Sequence, residues 1–216
     1  MSAEQVEEQG LEFEWVALWE SQYLSEGADA LDEGGLFSLE VATNYLGLDW
    51  GLWLGVGDSV DYQELALTAS KTFDFDWGAM TAGASHLEFW PDRAHDQEFF
   101  LGAVFGLPES IELSLDGTYS LEAEGSFVEI GLSRLFSSSL EGLELEPYLL
   151  QAIDFGYRTE AYDGWNHFEL GCVFHYSINE QLILHGYLAH SIAQEDLDRD
   201  GLGDESRAGF GMSVVF

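Results

Sequence analysis

The chain is short of bases. Lysine and arginine together number 6, against 41 aspartates and glutamates, for a formal charge of -35. That excludes a nucleic-acid partner, because phosphate contacts need cationic side chains. It also excludes docking on anionic lipid headgroups through a basic patch. Cysteine is nearly absent: Cys172 is the 1 thiol, so no intrachain disulfide can form. Proline is scarce, at 3 residues. No apolar run approaches the ~18 consecutive residues of a membrane helix. The longest apolar stretch, 46–57, is broken by Asp49 and by Gly47, Gly51, Gly55 and Gly57, and reads as strands. The opening Met1-Ser-Ala-Glu-Gln-Val-Glu-Glu lacks the basic start and apolar core of a signal peptide. An exported protein carries one when made, so either this is a mature chain with an added Met or a membrane reading of it is wrong.

What the chain does have is glycine, at 24 residues, and aromatics, at 14 % with 7 Trp. Hydrophobic residues make up 46 %, a globular or membrane composition. The dominant pattern is alternation. In the closing segment, Phe210, Met212, Val214 and Phe216 fall on one face and Gly209, Gly211, Ser213 and Val215 on the other. A soluble sheet ending this way would expose an apolar edge and invite aggregation. A closed barrel in a bilayer uses the pattern: the apolar face meets lipid, the small face the lumen, and the last ring the interface.

The same alternation predicts about twelve strands: 11–19, 36–44, 48–57, 62–70, 77–87, 98–106, 111–119, 127–136, 143–155, 167–178, 181–191 and 208–216. Residues 1–10 read as an acidic, mobile tail, and 11–216 as one domain. Strands five and eleven leave their faces undecided. Pro147 suggests a bulge or distorted edge in strand nine. An even strand number returns both termini to one side. Connections after odd strands are mostly longer and those after even strands tight, the membrane-barrel arrangement and not that of a β-sandwich. The fold expected is a single transmembrane antiparallel up-and-down β-barrel. Cys172 falls on a lipid-facing position, as a small hydrophobe.

Ser21-Gln-Tyr-Leu-Ser-Glu-Gly27 after the first strand, the Asp-Phe repeats near Phe73 to Trp77, and the terminal Phe216 resemble the TorF-type porins of bacterial outer membranes. The resemblance covers most of the chain in rhythm and few residues by identity. Glu26 departs from it, since that family carries a bulky or basic residue before the early glycine. The resemblance implies an outer-membrane location more than an activity. A terminal aromatic after alternating apolar residues also resembles the closing strand by which outer-membrane barrels are recognised for assembly.

With the apolar faces turned to lipid, the lumen-lining set is Glu12, Glu14, Glu40, Asp49, Glu64, Glu112, Asp116, Glu129, Glu144, Glu146, Asp154 and Glu169. Lys71, Arg93, Arg158, Arg199 and Arg207 are expected in turns or loops, and Arg134 at a strand end. Carboxylates without counter-charges attract cations and repel anions, while any barrel also needs a hydrated polar interior. Barrels of ~8 strands are filled and those of ~16 conduct, so about twelve leaves openness undecided.

Asp196-Leu-Asp198-Arg-Asp200-Gly201 places three hard oxygen ligands at alternating positions before a glycine, as in a Ca²⁺ loop. The twelfth position is Arg207 where an EF-hand needs Glu, with Asp204 or Glu205 as substitutes. The segment 196–205 reads as a Ca²⁺ site or as a solvated acidic loop. His167, His175, His185 and His190 lie on neighbouring strands and, with Glu169, could hold a transition metal, or with Ser177 or Ser191 serve a hydrolase. No spacing marks such a set.

The function expected is a passive outer-membrane pore for small polar or cationic solutes, with the bilayer as partner and no catalysis. The alternatives are a non-conducting structural or adhesion barrel with ligand- or calcium-binding extracellular loops, and a soluble acidic barrel, natural or engineered.

Overall fold

The computed structural model describes residues 11–158 and 163–216. The expected tail, 1–10, lies outside them. The strands are β1 Phe13–Glu20, β2 Leu36–Tyr45, β3 Leu48–Gly57, β4 Gln63–Phe75, β5 Gly78–Trp90, β6 Ala94–Leu107, β7 Ile111–Ser120, β8 Ser126–Arg134, β9 Leu143–Phe155, β10 Asp163–Ser177, β11 Leu182–Ala193 and β12 Glu205–Val215. Each pairs antiparallel with the next, and β12 pairs with β1, so the sheet closes into a 12-strand barrel. Closure leaves no edge for the apolar last strand: Val214 lies opposite Trp15, which lies opposite Val41.

The wall is inside-out relative to a water-soluble protein. Phe37, Leu101, Leu188 and Phe210 are 57 %, 53 %, 58 % and 65 % exposed, while Asn166, Asp154 and Asp196 are each 0 % exposed. Cross-strand partners share a face, so register fixes the whole outer surface from a few rows. Leu39↔Leu54, Leu54↔Leu65 and Leu101↔Gly117 lie on it. At the end that holds both termini, Phe75 stacks on Trp77 at 5.0 Å and Trp77 on Phe105 at 4.8 Å. These rings border the apolar belt as an interfacial girdle would.

Register also settles the two undecided strands. In β5, Met80, Ala82, Ala84, His86 and Glu88 share the outer face with Phe73 and Leu67, which turns Leu87 and Phe89 inward. In β11, Leu184, Leu188 and His190 face out, and His185, Tyr187 and Ser191 face in.

Three sequence expectations are corrected. The turn at 71–76 is strand: Lys71 and Phe73 continue the outer row and the chain reverses only at Asp76-Trp77. Lys71 therefore stands in the wall, its ammonium 5.4 Å from the Phe73 ring centre. The long loop at 88–97 is also mostly strand, with a tight turn at 91–93. Strands β4, β5 and β6 run 13, 13 and 14 residues, beyond the ~9–11 that cross hydrocarbon, which accounts for the polar outward residues His86, Glu88, His95 and Gln97. Finally, the bulge in β9 falls between Gln151 and Ile153, not at Pro147. Pro147 pairs with Cys172 and stands in a gap of the opposite ladder, between Tyr148↔Ser133 and Leu145↔Phe136. A residue without an N–H is tolerated there.

Loops sort mostly as expected. At the termini end, β2 and β3 join through Leu46-Gly47, both at positive φ (56° and 73°), the twist that matches a two-residue hairpin. The exception is 135–142, a longer connection at that end. At the far end, the first loop, 21–35, holds a small hairpin, Leu24–Ser25 with Ala28–Asp29. The last loop carries a short helix, α1 Glu195–Arg199.

Candidate functional site

The inner face is defined by the same parity. Glu14 of β1, Glu40 of β2, Glu64 of β4, Glu112 and Asp116 of β7, Glu129 of β8, Glu144, Glu146 and Asp154 of β9, and Glu169 of β10 all lie on it. Glu129 stands directly opposite Asp116, an arrangement that costs free energy in any sheet. The other two expected residues sit at the rim. Glu12 precedes β1, and its carbonyl accepts the Thr43 hydroxyl at 2.7 Å. Asp49 accepts from Asn44 Nδ2 at 2.7 Å beside the first turn. Asp154 is a structural member of the set: its Oδ1 accepts the backbone N–H of Tyr157 at 2.8 Å.

One base joins them. Arg207 belongs to β12 and points inward, correcting its expected place in a loop. Its Nη2 donates to both oxygens of Glu169, at 3.0 and 3.1 Å, and its guanidinium lies 5.5 Å from the Tyr187 ring centre. Tyr148 donates to the same Glu169 at 2.8 Å, and Tyr187 to Glu20 at 2.5 Å. Strands β9, β10, β11, β12 and β1 are thereby linked by one polar chain across the inner wall. Parity could have revealed Arg207, since it shares a face with Gly209, Gly211 and Ser213.

The far end is narrowed by the first loop, which folds into the barrel. Tyr23 stacks on inward-facing Trp53 at 6.1 Å and donates to Glu64 at 2.8 Å; Tyr62 donates to the same oxygen at 2.6 Å. Gln22 donates to Glu205 at 2.8 Å. Asp58 anchors the loop's exit, accepting from the Gly35 N–H at 2.9 Å, Ser59 Oγ at 2.7 Å and the Trp19 indole at 3.0 Å. These bonds hold its carboxyl below the usual range, Ser59 foremost.

Between loop and wall lies a cavity of about 510 Å³, lined among others by Tyr23, Glu26, Glu64, Glu98, Glu129 and Tyr157. Glu26, at the hairpin tip, accepts from Ser25. Burial pushes its carboxyl up to about 7, against the Ser25 bond and with added repulsion from Glu98, Glu64 and Glu129. The Tyr23, Tyr62 and Tyr157 hydroxyls are pushed up too, by burial first and then by neighbouring carboxylates. Tyr157 donates to Glu98. No periodic signal marks an inward-folding loop, so the sequence does not reveal Tyr23 or Glu26.

Gly27 seats the hairpin. Its φ is +79°, and an added Cβ would lie 2.4 Å from Nδ1 of His167. We expect Gly27→Ala to expel the hairpin from the lumen, read as protease cleavage within 21–35 that the parent chain resists. Equal resistance would contradict the docking.

The aspartates of the expected calcium loop are dispersed. Residues 195–199 form a helical turn, so Asp196 and Asp198 do not alternate along an extended segment. Asp196 is buried and accepts from Asn166 Nδ2 at 2.8 Å; Asn166 in turn contacts His167 Nδ1 at 2.7 Å. Asp200 pairs with Arg158 at 2.8 Å, and Asp204 accepts the Ala193 N–H at 3.0 Å. Among the described residues, no group of 3 or more His, Cys, Asp or Glu is gathered to hold a metal ion.

The histidines separate as well. His167 is committed to Asn166, and His190 faces outward beside Ser206 at 2.9 Å. Ser191 is buried at 2 % exposure. No Ser/His hydrolase pair with Ser177 or Ser191 forms among the described residues. Of these four, His175 and His185 meet, their Nδ1 atoms 3.1 Å apart.

This architecture has solved counterparts. A KdgM porin superimposes with a TM-score of 0.64 over 95 % of this chain and 99 % of its own, at 9 % identity. The barrel has a porin fold. A NanC porin matches at 0.61 over 94 % of this chain and 98 % of its own, at 9 % identity. The COG4313 outer membrane channel from Pseudomonas putida F1 matches at 0.58 over 96 % of each chain, at 13 % identity. No family profile and no curated protein matches the sequence. The three counterparts carry the porin part of the sequence resemblance, not its TorF-type part.

Proposed function

We propose that the protein is a bacterial outer-membrane channel through which small polar and cationic solutes diffuse passively. The observation that carries this reading is the inversion of the wall: large apolar side chains outward, carboxylates inward around an enclosed lumen. A belt of exposed Phe, Leu and Trp, from Leu54 at 38 % to Phe210 at 65 %, would aggregate in water and is stable against hydrocarbon. The first loop docks at the far end and leaves a cavity of about 510 Å³ between itself and the wall, which supports a narrowed rather than a filled lumen. No covalent step belongs to this reading.

The sign of the lumen supports cations. Of the 6 bases in the chain, Arg207 alone stands on an inner strand face, and it is neutralised by Glu169. One solved KdgM porin is in complex with disordered oligogalacturonate, a chain of acidic sugars. An acid-lined interior has the wrong charge for such a ligand, so shared architecture here supports a different solute class.

Recording from planar bilayers under a KCl gradient tests the proposal. We expect stepwise conductance with a reversal potential of cation sign. An absence of conductance removes the channel, and an anion-sign potential removes the acidic lumen as its selector. The membrane setting has its own test. Leu101→Arg places a charge on the outer belt, which should cost about 2–4 kcal/mol near the bilayer midplane. Denaturant unfolding from vesicles measures it, and an unchanged midpoint would turn that face away from lipid.

A further inference from the structure

We propose that His175 and His185 form a two-nitrogen site for a divalent transition-metal ion of the zinc, copper and nickel class. The site lies on the inner wall, near the end of the barrel that holds both termini. His175 and His185 are cross-strand partners on β10 and β11, with ring centres 5.3 Å apart and planes at 85°. Their Nδ1 atoms stand 3.1 Å apart. An ion with metal–nitrogen bonds of about 2.0–2.1 Å spans N···N separations of roughly 2.9 Å at octahedral and roughly 3.4 Å at tetrahedral angles. The observed spacing lies between these values.

The outer ring nitrogens point the same way. His175 Nε2 lies 3.7 Å from a Glu146 carboxylate oxygen, and His185 Nε2 lies 2.9 Å from Ser213 Oγ. A carboxylate near Nε2 favours a proton there by charge, and a hydroxyl can accept it; that tautomer leaves the lone pair at Nδ1. This is the outer-shell arrangement that orients metal-binding imidazoles. In that tautomer the two Nδ1 lone pairs face each other and a cation between them relieves their repulsion; in the other, one Nδ1–H donates to its neighbour. Glu144, paired with His175 across β9 and β10, and Glu14, within electrostatic reach of His185, add negative charge on the same wall. Both rings are partly exposed, so an ion in the lumen can reach them and water can complete its coordination. Imidazole nitrogens suit ions of this class, and Cu²⁺ binds most tightly among them, which makes it the probe.

The experiment needs no conductance, so it succeeds or fails separately from the channel. The untagged full chain in detergent is given one equivalent of Cu²⁺, and the paramagnetic resonance spectrum is recorded with Zn²⁺ as competitor. We expect superhyperfine coupling to two imidazole nitrogens, reduced to one in His175→Asn or His185→Asn and lost in the double variant. His190→Asn, on the outer face, should leave it unchanged. Glu146→Gln and Ser213→Ala keep both ligands and should weaken Cu²⁺ binding by about 10- to 100-fold. A parent spectrum without imidazole nitrogen coupling would overturn the site and leave the two rings as a hydrogen-bonded pair. Nitrogen coupling that survives in the double variant would overturn it equally, by placing the ion elsewhere.

Discussion

Arg207→Ala should lower the unfolding temperature of the barrel markedly and sharpen its preference for cations. The guanidinium donates twice to Glu169, whose side chain is only 4 % exposed. Removing it leaves a buried carboxylate that keeps the Tyr148 hydroxyl as a donor at 2.8 Å. Breaking a buried pair from one side costs about 3–5 kcal/mol, because the stranded charge stays unsolvated. The polar chain through Tyr187 to Glu20 would also lose the ring contact of the guanidinium. Thermal unfolding followed by gel migration measures the first effect and reversal potential the second. Adding Glu169→Gln to Arg207→Ala should restore much of the stability while keeping the lumen's sign. If the single variant were as stable as the parent, the pair would have no structural weight.

Conductance should fall as pH drops from about 8 to about 5, with Glu26 as the responsible group. With the loop docked, the Glu26 carboxyl is pushed up to about 7 by burial, with repulsion from Glu98, Glu64 and Glu129. In an undocked loop it would return to the ordinary value of 4.5. The docked state therefore binds more protons than the undocked one between these values. Docking strengthens as pH falls through that window and weakens as pH rises through about 7, where Glu26 ionises among other acids. The full swing is on the order of 3 kcal/mol. Glu26→Gln is uncharged at every pH and should hold the loop docked, with low conductance at both pH 5 and pH 8. If Glu26→Gln kept the full pH response, the effect would belong to other groups, such as the lumen histidines.

Much of this was legible in the residues. Alternation with period 2 reports a two-faced sheet directly, because a strand's side chains have no third direction to take. Ile111, Leu113 and Leu115 against Glu112, Ser114 and Asp116 could be read only one way. β5 could not be read, because its Ala, Gly and Thr pack equally well against lipid or water. Its faces came from pairing with β4, where Phe73 lies opposite Met80 and Glu64 opposite Phe89. Alternation also fails at strand ends, where it stops before the ladder does. Lys71 and Arg207 lie in such strand ends, where the pattern alone points to a turn.

The Asp196–Asp200 segment shows the limit of spacing. The same alternation of acids fits an ion-binding loop or a helical turn; here 195–199 is helical, with Asp196 accepting from Asn166 and Asp200, just beyond it, from Arg158. What the sequence determined by itself was the number of strands, the outward apolar rows and the acidic inner rows, since these depend on neighbours along the chain. Only the tertiary structure decided that Tyr23 and Glu26 enter the lumen, that Arg207 meets Glu169, and that His175 meets His185. Those meetings join residues distant in sequence, and ring closure and register alone bring them within reach.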